Sequence, residues 1–162
     1  MADLVHVKGL KELATALQQL PIAVARKQMA GPVSKGARLV RDAARNKAPV
    51  YTGDVSKGHP APGTLRKSIL MKRVMADTKS DVIARFIVTV RRGKKYQSMG
   101  KKGVNLDAFY WWFVENGTRN MEARPFLRPA FEQEKFRALN VIAEGLRQGV
   151  DTEAKNYSWG KP

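Results

Sequence analysis

The chain has 162 residues, enough for one domain with short extensions, and its 30 lysines and arginines outnumber 14 acidic residues to give a net charge of +16. Such an excess indicates a negatively charged partner: nucleic acid, an acidic protein surface or an anionic membrane. The absence of cysteine excludes disulfides and thiolate metal sites, and without a bilayer-spanning apolar run or a secretory signal pattern we expect a soluble protein of the cytoplasm.

Two amphipathic helical patterns open the chain. Leucines at spacings of three and four predict a helix over 9–21, which Pro21 ends. A second stripe, with basic residues on its opposite face, predicts a helix over 22–47. Because proline lacks a backbone donor and disfavours a helical residue before it, Gly31-Pro32 predicts a kink or a helix restart.

A loop and two strands follow. Residues 48–64 contain prolines and glycines without periodicity, which predicts a loop. The stretches 65–75 and 81–93 show partial alternation with many β-branched residues. They predict two antiparallel strands joined by residues 76–80, with Phe86, Val88 and Val90 on one side and Arg85 and Ile87 on the other.

The last third predicts a second loop over 94–105, a short helix and a long helix. We expect Asp107 to cap the short helix, which carries five successive aromatic residues from Phe109 to Phe113. After Pro129 an apolar stripe predicts the long helix through Phe136, Leu139, Ala143, Leu146 and Val150. We therefore expect one α+β domain over 1–150, with N-terminal helices packed on a small antiparallel sheet and a C-terminal helix after a Pro-rich turn, and an extension over 151–162.

Catalytic and metal-binding patterns are weak. His6 and His59 have no cysteine or carboxylate cluster near them, and no phosphate-binding or dinucleotide-binding motif occurs. Glu115 could act as a general base, but a lone glutamate is more often a capping or salt-bridging group. We therefore predict no catalytic residue, no cofactor and no metal, and an enzyme is the weakest of the functional hypotheses.

The charge is concentrated between residues 55 and 105, which hold thirteen basic and two acidic residues. Nucleic-acid binding needs such a surface and also exposed aromatic residues for stacking, but the aromatic residues cluster elsewhere, at 109–113. A basic nucleic-acid-binding protein is therefore the alternative hypothesis, beside a basic surface that faces solvent or protein. Tyr110, Trp111 and Trp112 fit either a core or an interface anchor.

Four segments in order carry a family resemblance: an amphipathic helix ending "AARNKAPVYTG", then "GTLRKSI", "FYWWFVENGT" and "ARPFLRPAFEQ". Together, over roughly residues 9–148, they resemble the tail-completion, or head–tail joining, family of long-tailed bacteriophages, which includes minor tail protein Z-like proteins. Longer spacing after Gly53, the Gly31-Pro32 pair and the basic stretch 93–105 depart from the family pattern. The motif positions are Ala48, Pro49, Val50, Thr52, Gly53, Leu65, Arg66, Ser68, Ile69, Val114, Glu115, Gly117, Thr118, Pro125, Phe126, Leu127, Arg128, Pro129 and Ala130.

The resemblance implies a structural protein of the virion neck or tail, assembled in the host cytoplasm. It implies a homo-oligomeric ring, commonly sixfold, that contacts head-side connector or stopper proteins and the tail tube protein. DNA would pass through the ring without sequence-specific binding, and no membrane is involved. We expect Glu115, Thr118 and the 125–130 turn to determine the fold. The candidate interface residues are Arg91, Arg92, Lys94, Lys95, Tyr110, Trp111 and Trp112.

Overall fold

A computed structural model describes residues 22–52, 61–74, 84–93 and 107–158, together with Thr15. The predicted α+β class is confirmed, because helices accompany a two-stranded antiparallel sheet and a C-terminal helix. Apart from Thr15, the predicted helix over 9–21 lies outside the described residues, as do the connection 76–80 and the loop 94–105. The elements in chain order are α1 (Ile22–Lys47), α2 (Thr64–Ser68), β1 (Ile69–Val74), β2 (Arg85–Val90), α3 (Trp111–Asn116) and α4 (Leu127–Ser158).

The helix restart that Gly31-Pro32 suggested does not occur. Helix α1 runs without interruption from Ile22 to Lys47 with Pro32 inside it. Proline in a helix interior removes one backbone hydrogen bond and crowds the preceding turn, so packing must compensate. The ring of Pro32 lies against Gly145 of α4, where an added Cβ would come within 2.9 Å of it. The proline is therefore accommodated by a residue without a side chain.

The first strand begins later than the sequence suggested, because residues 64–68 form helix α2. Leu65 and Ser68 are both buried. Residues three apart share a face in a helix, but they point to opposite faces of a strand, so only a helix buries both on one side. Gly63 precedes α2 with φ +76°, and the Thr64 hydroxyl donates to the Ala61 carbonyl at 2.6 Å.

Strand β2 shows the predicted alternation from Arg85 to Val88, whereas Thr89, expected on the outer side, is half-buried. Val90 is buried and Phe86 and Val88 are half-buried, whereas Arg85 and Ile87 are exposed. The Arg91 amide, just after the strand, donates to the Ser68 carbonyl at 2.8 Å. The period of two in the sequence therefore identifies the inward face of this strand correctly.

The predicted short helix exists, but Asp107 does not cap it. Helix α3 begins at Trp111 after Tyr110, and no side chain caps its N-terminus. Asp107 is instead buried, and its carboxylate accepts a hydrogen bond from the Gly93 amide at 2.9 Å. The side chain therefore fastens the segment after β2 to the start of the aromatic segment.

The long helix begins at Leu127 and continues to Ser158. The predicted apolar stripe is partly wrong, since Phe136 is 40% exposed and the buried positions include Ala138, Ala143 and Leu146. Small side chains are buried here because α1 approaches closely. A Cβ at Gly36 of α1 would lie 2.6 Å from the Ile142 side chain.

The chain forms two compact units. The first comprises Met1–Arg38, Arg73–Ile87 and Lys135–Pro162. Within it, the N-terminal part of α1 runs antiparallel to the C-terminal part of α4, since Gln28, Pro32 and Gly36 lie against Gly149, Gly145 and Ile142 respectively. The Gln28 amide also donates to the Glu153 carboxylate at 2.5 Å. Glycines at the contact allow this close approach of the two helices.

The second unit comprises Leu39–Lys72 and Val88–Glu134. Arg45 of α1 donates from Nε and Nη2 to the Ile69 carbonyl, at 3.0 and 2.7 Å. Arg66 of α2 in turn donates from Nε to the Arg45 carbonyl at 2.7 Å. Trp111 and Val114 of α3 pack against the buried core of this unit, which consists of Ala44, Ala48, Leu65, Ile69, Val90, Ala108, Phe126 and Ala130.

Among the described residues, Phe126 is the largest fully buried side chain, with 0% exposure. We predict that Phe126→Ala lowers the free energy of unfolding by about 3–5 kcal/mol, because it removes buried apolar surface and leaves a cavity. Phe131→Ala is the control, since Phe131 is 52% exposed, and it should cost less than about 0.5 kcal/mol. Urea unfolding measures both variants, and equal midpoints would contradict the prediction.

Candidate functional site

Glu115, near the end of α3, holds the start of α4. Its Oε2 accepts hydrogen bonds from the Phe126 and Leu127 amides at 2.8 and 3.0 Å, and its Oε1 accepts one from the Arg128 amide at 3.0 Å. These amides lie at the positive end of the helix dipole, where a carboxylate is favourable. One side chain thus joins two helices that are separated by a ten-residue connection.

The proline at position 129 completes this arrangement. The first four amides of a helix have no carbonyl partner within the helix. Here three of those positions, 126–128, bind Glu115, and the fourth is Pro129, which has no amide hydrogen. The first backbone bond of the helix then runs from the Ala130 amide to the Phe126 carbonyl at 3.3 Å.

A tight turn brings the chain back to Glu115. The Gly117 amide donates to the Phe113 carbonyl at 2.8 Å, and Gly117 has φ +76°. Thr118 and Met121 then exchange backbone hydrogen bonds at 2.8 and 3.2 Å. The Arg124 amide returns to the Val114 carbonyl at 2.8 Å, which places residues 125–128 beside the carboxylate.

This returning segment forms one wall of an apolar groove of about 450 Å³ within the second unit. Its lining includes Pro49 and Val50 from the segment after α1, Leu65 from α2, Tyr110 and Val114 from the aromatic segment, and Met121. Glu122 and Arg124 supply its charged groups. The groove therefore offers mainly hydrophobic contact with one charge of each sign.

Exposed aromatic side chains lie around α3. Phe109 is 54% exposed, Trp112 56% and Phe113 47%, and α3 has no buried residue. Tyr110 and Trp111, in contrast, are half-buried and pack against the core. From the sequence, Tyr110, Trp111 and Trp112 could each belong to the core or to an interface. In the structure Tyr110 and Trp111 pack against the core, whereas Trp112 is exposed. A patch of large exposed apolar side chains is typical of a protein interaction site.

The groove and its exposed neighbours include residues that the sequence did not single out as interface candidates, namely Val50, Tyr51, Phe109, Phe113 and Met121. One signal in the sequence could have identified the two faces of α3. Tyr110 and Val114 are four residues apart and so share one face of a helix, whereas Trp112, two residues from each, lies on the other face. Nothing in the local sequence indicates that the 117–124 segment folds back to form a wall.

The basic candidates are distributed differently. Arg92 is exposed, whereas Arg91 is half-buried, and Lys94 and Lys95 lie outside the described residues. Further along the sheet, Lys72, Arg73 and Arg85 are exposed. The two strands carry one aromatic residue, the half-buried Phe86, so they lack the exposed rings on which nucleic-acid bases stack.

Most other motif residues contribute to packing or to backbone geometry. Leu65, Ser68, Ile69, Phe126 and Ala130 are buried. Arg66 donates to the backbone of α1, and the Thr118 hydroxyl accepts a hydrogen bond from the Asn120 amide at 3.4 Å. Pro49 lines the groove, Thr52 and Pro125 are exposed, and Gly53 lies outside the described residues.

Burial raises the pKa of the Tyr110 phenol, while a hydrogen bond with the Leu65 backbone lowers it by a smaller amount. Among the described residues, no group of three or more histidine, cysteine or carboxylate side chains could hold a metal ion. No helix in the described part of the chain is long and apolar enough to cross a bilayer.

The family model described as "Bacteriophage HK97-gp10, putative tail-component" matches residues 11–117, about two thirds of the chain. The chain belongs to this HK97-gp10-like family. The match extends from the N-terminal region through α3 and reaches both Glu115 and Gly117. Neither the curated proteins nor the solved structures compared with the chain contain a match.

Membership confirms the resemblance to phage tail proteins that the motifs indicated. The protein is a structural component related to the bacteriophage tail, and its place is in the virion. Its partners are therefore other virion proteins. An exposed aromatic surface beside an apolar groove suits such contacts.

The carboxylate of Glu115 provides a direct stability test. Glu115→Ala leaves three amides without their acceptor, so we predict a loss of about 2–3 kcal/mol in the free energy of unfolding. Glu115→Gln keeps one acceptor oxygen and should cost about half as much. Glu122→Ala removes the same charge from an exposed position and should cost less than about 0.5 kcal/mol. Urea unfolding that ranks Glu122→Ala with Glu115→Ala would contradict this role.

Two glycines with the same φ of +76° provide a matched test of the turn. A Cβ at Gly117 would lie 3.0 Å from the Ala123 nitrogen and the Met121 oxygen, whereas nothing lies within 4 Å at Gly63. Gly63, with ψ 4°, is in the left-handed region, where alanine costs about 1–2 kcal/mol, whereas Gly117, with ψ 175°, is in a region that essentially only glycine adopts. We predict that Gly117→Ala costs at least about 1 kcal/mol more. Equal melting temperatures would show that the 117–123 turn shifts freely.

Proposed function

We propose that copies of this protein form a homo-oligomeric ring, a hexamer, at the neck or the top of the tail. The ring completes the tail or joins it to head-side connector or stopper proteins, and the tail tube protein lies on its other side. Family membership supports a role in the tail, and the exposed Phe109, Trp112 and Phe113 are the observation that favours assembly. A monomer in solution rarely leaves such a patch uncovered.

The role is structural and not enzymatic. The family is one of tail components, and the most distinctive polar group of the site, Glu115, has both oxygens engaged by backbone amides. A carboxylate held in this way stabilises the fold and is poorly placed to act as a general base.

DNA passes through the ring without sequence-specific binding. Lys72, Arg73, Arg85 and Arg92 are exposed, but the strands lack exposed aromatic residues. Tight binding of phosphates inside a tail would also oppose the movement of DNA at ejection. We therefore propose that most of these basic groups face acidic surfaces of neighbouring virion proteins, and that a minority face the channel.

Native mass spectrometry of the purified protein and negative-stain microscopy of particles test the ring. We expect a closed oligomer in solution and the protein in virions, and a strict monomer that is absent from virions would overturn the proposal. Filter binding to DNA across a salt series tests the nucleic-acid alternative, because direct phosphate binding gives a steep dependence of affinity on salt.

A lysate of phage that lacks the protein distinguishes the two roles. If the ring ends tube polymerisation, its loss should give tails of uncontrolled length. If the ring joins the tail to the head, its loss should give tails of normal length beside filled heads.

The basic strands provide a test of partner charge. Arg91 is half-buried, so the test uses Lys72, Arg73, Arg85 and Arg92 together, each replaced by Glu. Because exposed charges contribute about 0–1 kcal/mol each, we expect the melting temperature to change little. Joining should fail, and microscopy of lysates should show separate heads and tails. Normal particles that eject DNA abnormally would instead place these side chains in the channel.

A further inference from the structure

The groove and the exposed side chain of Trp112 lie on opposite faces of the same short helix. Tyr110 and Val114, which line the groove, are four residues apart and share a face, and the Val114 amide donates to the Tyr110 carbonyl at 3.2 Å. Trp112 is two residues from each, so it points about 200° around the helix axis from Tyr110. One face of α3 is therefore part of a recess, and the other carries a projecting indole.

This arrangement has a consequence for symmetry. A twofold interface brings the same patch together from both subunits, whereas a ring joins two different surfaces of each subunit head to tail. A projection and a recess on opposite sides of one element are such a pair of surfaces. Resting on the ring proposed above, we propose that Trp112 and Phe113 of one copy insert into the apolar groove of the next copy.

Local charge favours a second copy as the occupant. The whole chain carries +16, but residues 107–124 contain three acidic residues (Asp107, Glu115 and Glu122) and two arginines (Arg119 and Arg124), a net charge of −1. Two identical, strongly basic chains repel each other least where they meet through this segment. The same local charge disfavours DNA, which binds to clusters of lysine and arginine.

The exposed aromatic side chains supply part of the area that a stable contact between two copies needs. Tyr51, Phe109, Trp112 and Phe113 are each about half exposed. Since an aromatic side chain buries about 150–250 Å², the half-exposed Trp112 and Phe113 of one copy would contribute roughly 200 Å², and Tyr51 and Phe109 in the groove of the next copy would contribute about the same. A standard interface buries about 800 Å² on each partner, so these side chains would supply about a quarter of each side.

The projecting ring is held in place before binding. Trp112 meets Trp111 edge to face, with ring centroids 5.4 Å apart and planes at 88°, and Trp111 packs against the core. An anchor that is already ordered loses little conformational entropy on association. Arg124, at the edge of the groove, can lie over an inserted ring through a cation–π contact.

Variants of the two surfaces test the pairing separately from the ring. Trp112→Ala with Phe113→Ala removes the projection, and Val50→Asp places a carboxylate in the groove. Each should raise the concentration needed for assembly by at least about 30-fold, as expected for an interface hot spot. Phe136→Ala, an exposed aromatic of α4 outside this unit, is the control and should leave assembly unchanged. Circular dichroism and melting temperatures should match the wild type for all variants.

Mixing the two defective variants gives the sharpest result. The projection-less variant keeps its groove and the groove variant keeps its projection, so a mixture can form one intact contact and should give dimers without rings. If the variant with Trp112→Ala and Phe113→Ala forms rings at the same concentration as the wild type, the insertion of Trp112 and Phe113 into the groove is wrong, but the ring itself is not. A wild-type chain that stays monomeric at every concentration and in particles would overturn the ring, and the pairing with it.

The absence of native cysteine allows the contact to be trapped. Asn116 is exposed and lies one helical turn from Trp112 on the same face, so Asn116→Cys leaves the indole in place. Copies carrying Asn116→Cys and copies carrying Val50→Cys, with different tags, should form a mixed disulfide dimer on oxidation, both in solution and in assembled particles. Cross-linking of either cysteine to a different virion protein instead would show that another partner occupies the groove and would overturn the proposal.

Discussion

The bond between one carboxylate and three backbone amides organises the second unit. Glu115 accepts hydrogen bonds from the amides of residues 126–128, and Pro129 has no amide hydrogen. No amide in the first turn of α4 is therefore left without a hydrogen-bond acceptor. The same contact holds Phe126 where its side chain enters the core, and the bond from the Arg124 amide to the Val114 carbonyl holds the returning segment 117–124 against α3. If this bond were lost, the wall of the groove and the start of the long helix would both lose their anchor.

The exposed surface depends on that anchoring. Tyr110, Trp111 and Val114 pack against the core, so Trp112 and Phe113 must face outward on a helix of only six residues. The recess and the projection therefore arise from one element whose orientation Glu115 and the Gly117 turn determine. For a tail protein, this links stability to assembly, because a shift of α3 would displace both surfaces at once.

The basic residues and the exposed apolar side chains lie in different segments of the chain. Basic residues are concentrated between positions 55 and 105, and the segment 107–124 is close to neutral. Exposed charges stabilise a fold little but strongly influence which partners approach. In the proposed ring, apolar contacts would hold neighbouring copies together while the basic strands would select acidic partners.

Local patterns in the sequence determined much of the fold. Helical and alternating periods gave the α+β class, the inward face of β2 and the long last helix, because each depends on spacing within one element. The ordered motifs gave the phage tail family. Tertiary structure decided the rest. Pro32 continues a helix because Gly145 makes room for it, residues 64–68 are helical because Leu65 and Ser68 are buried together, and Asp107 binds Gly93 instead of capping α3. The groove and the outward position of Trp112 and Phe113 also depend on contacts between segments far apart in sequence, and these contacts cannot be predicted from a local sequence pattern.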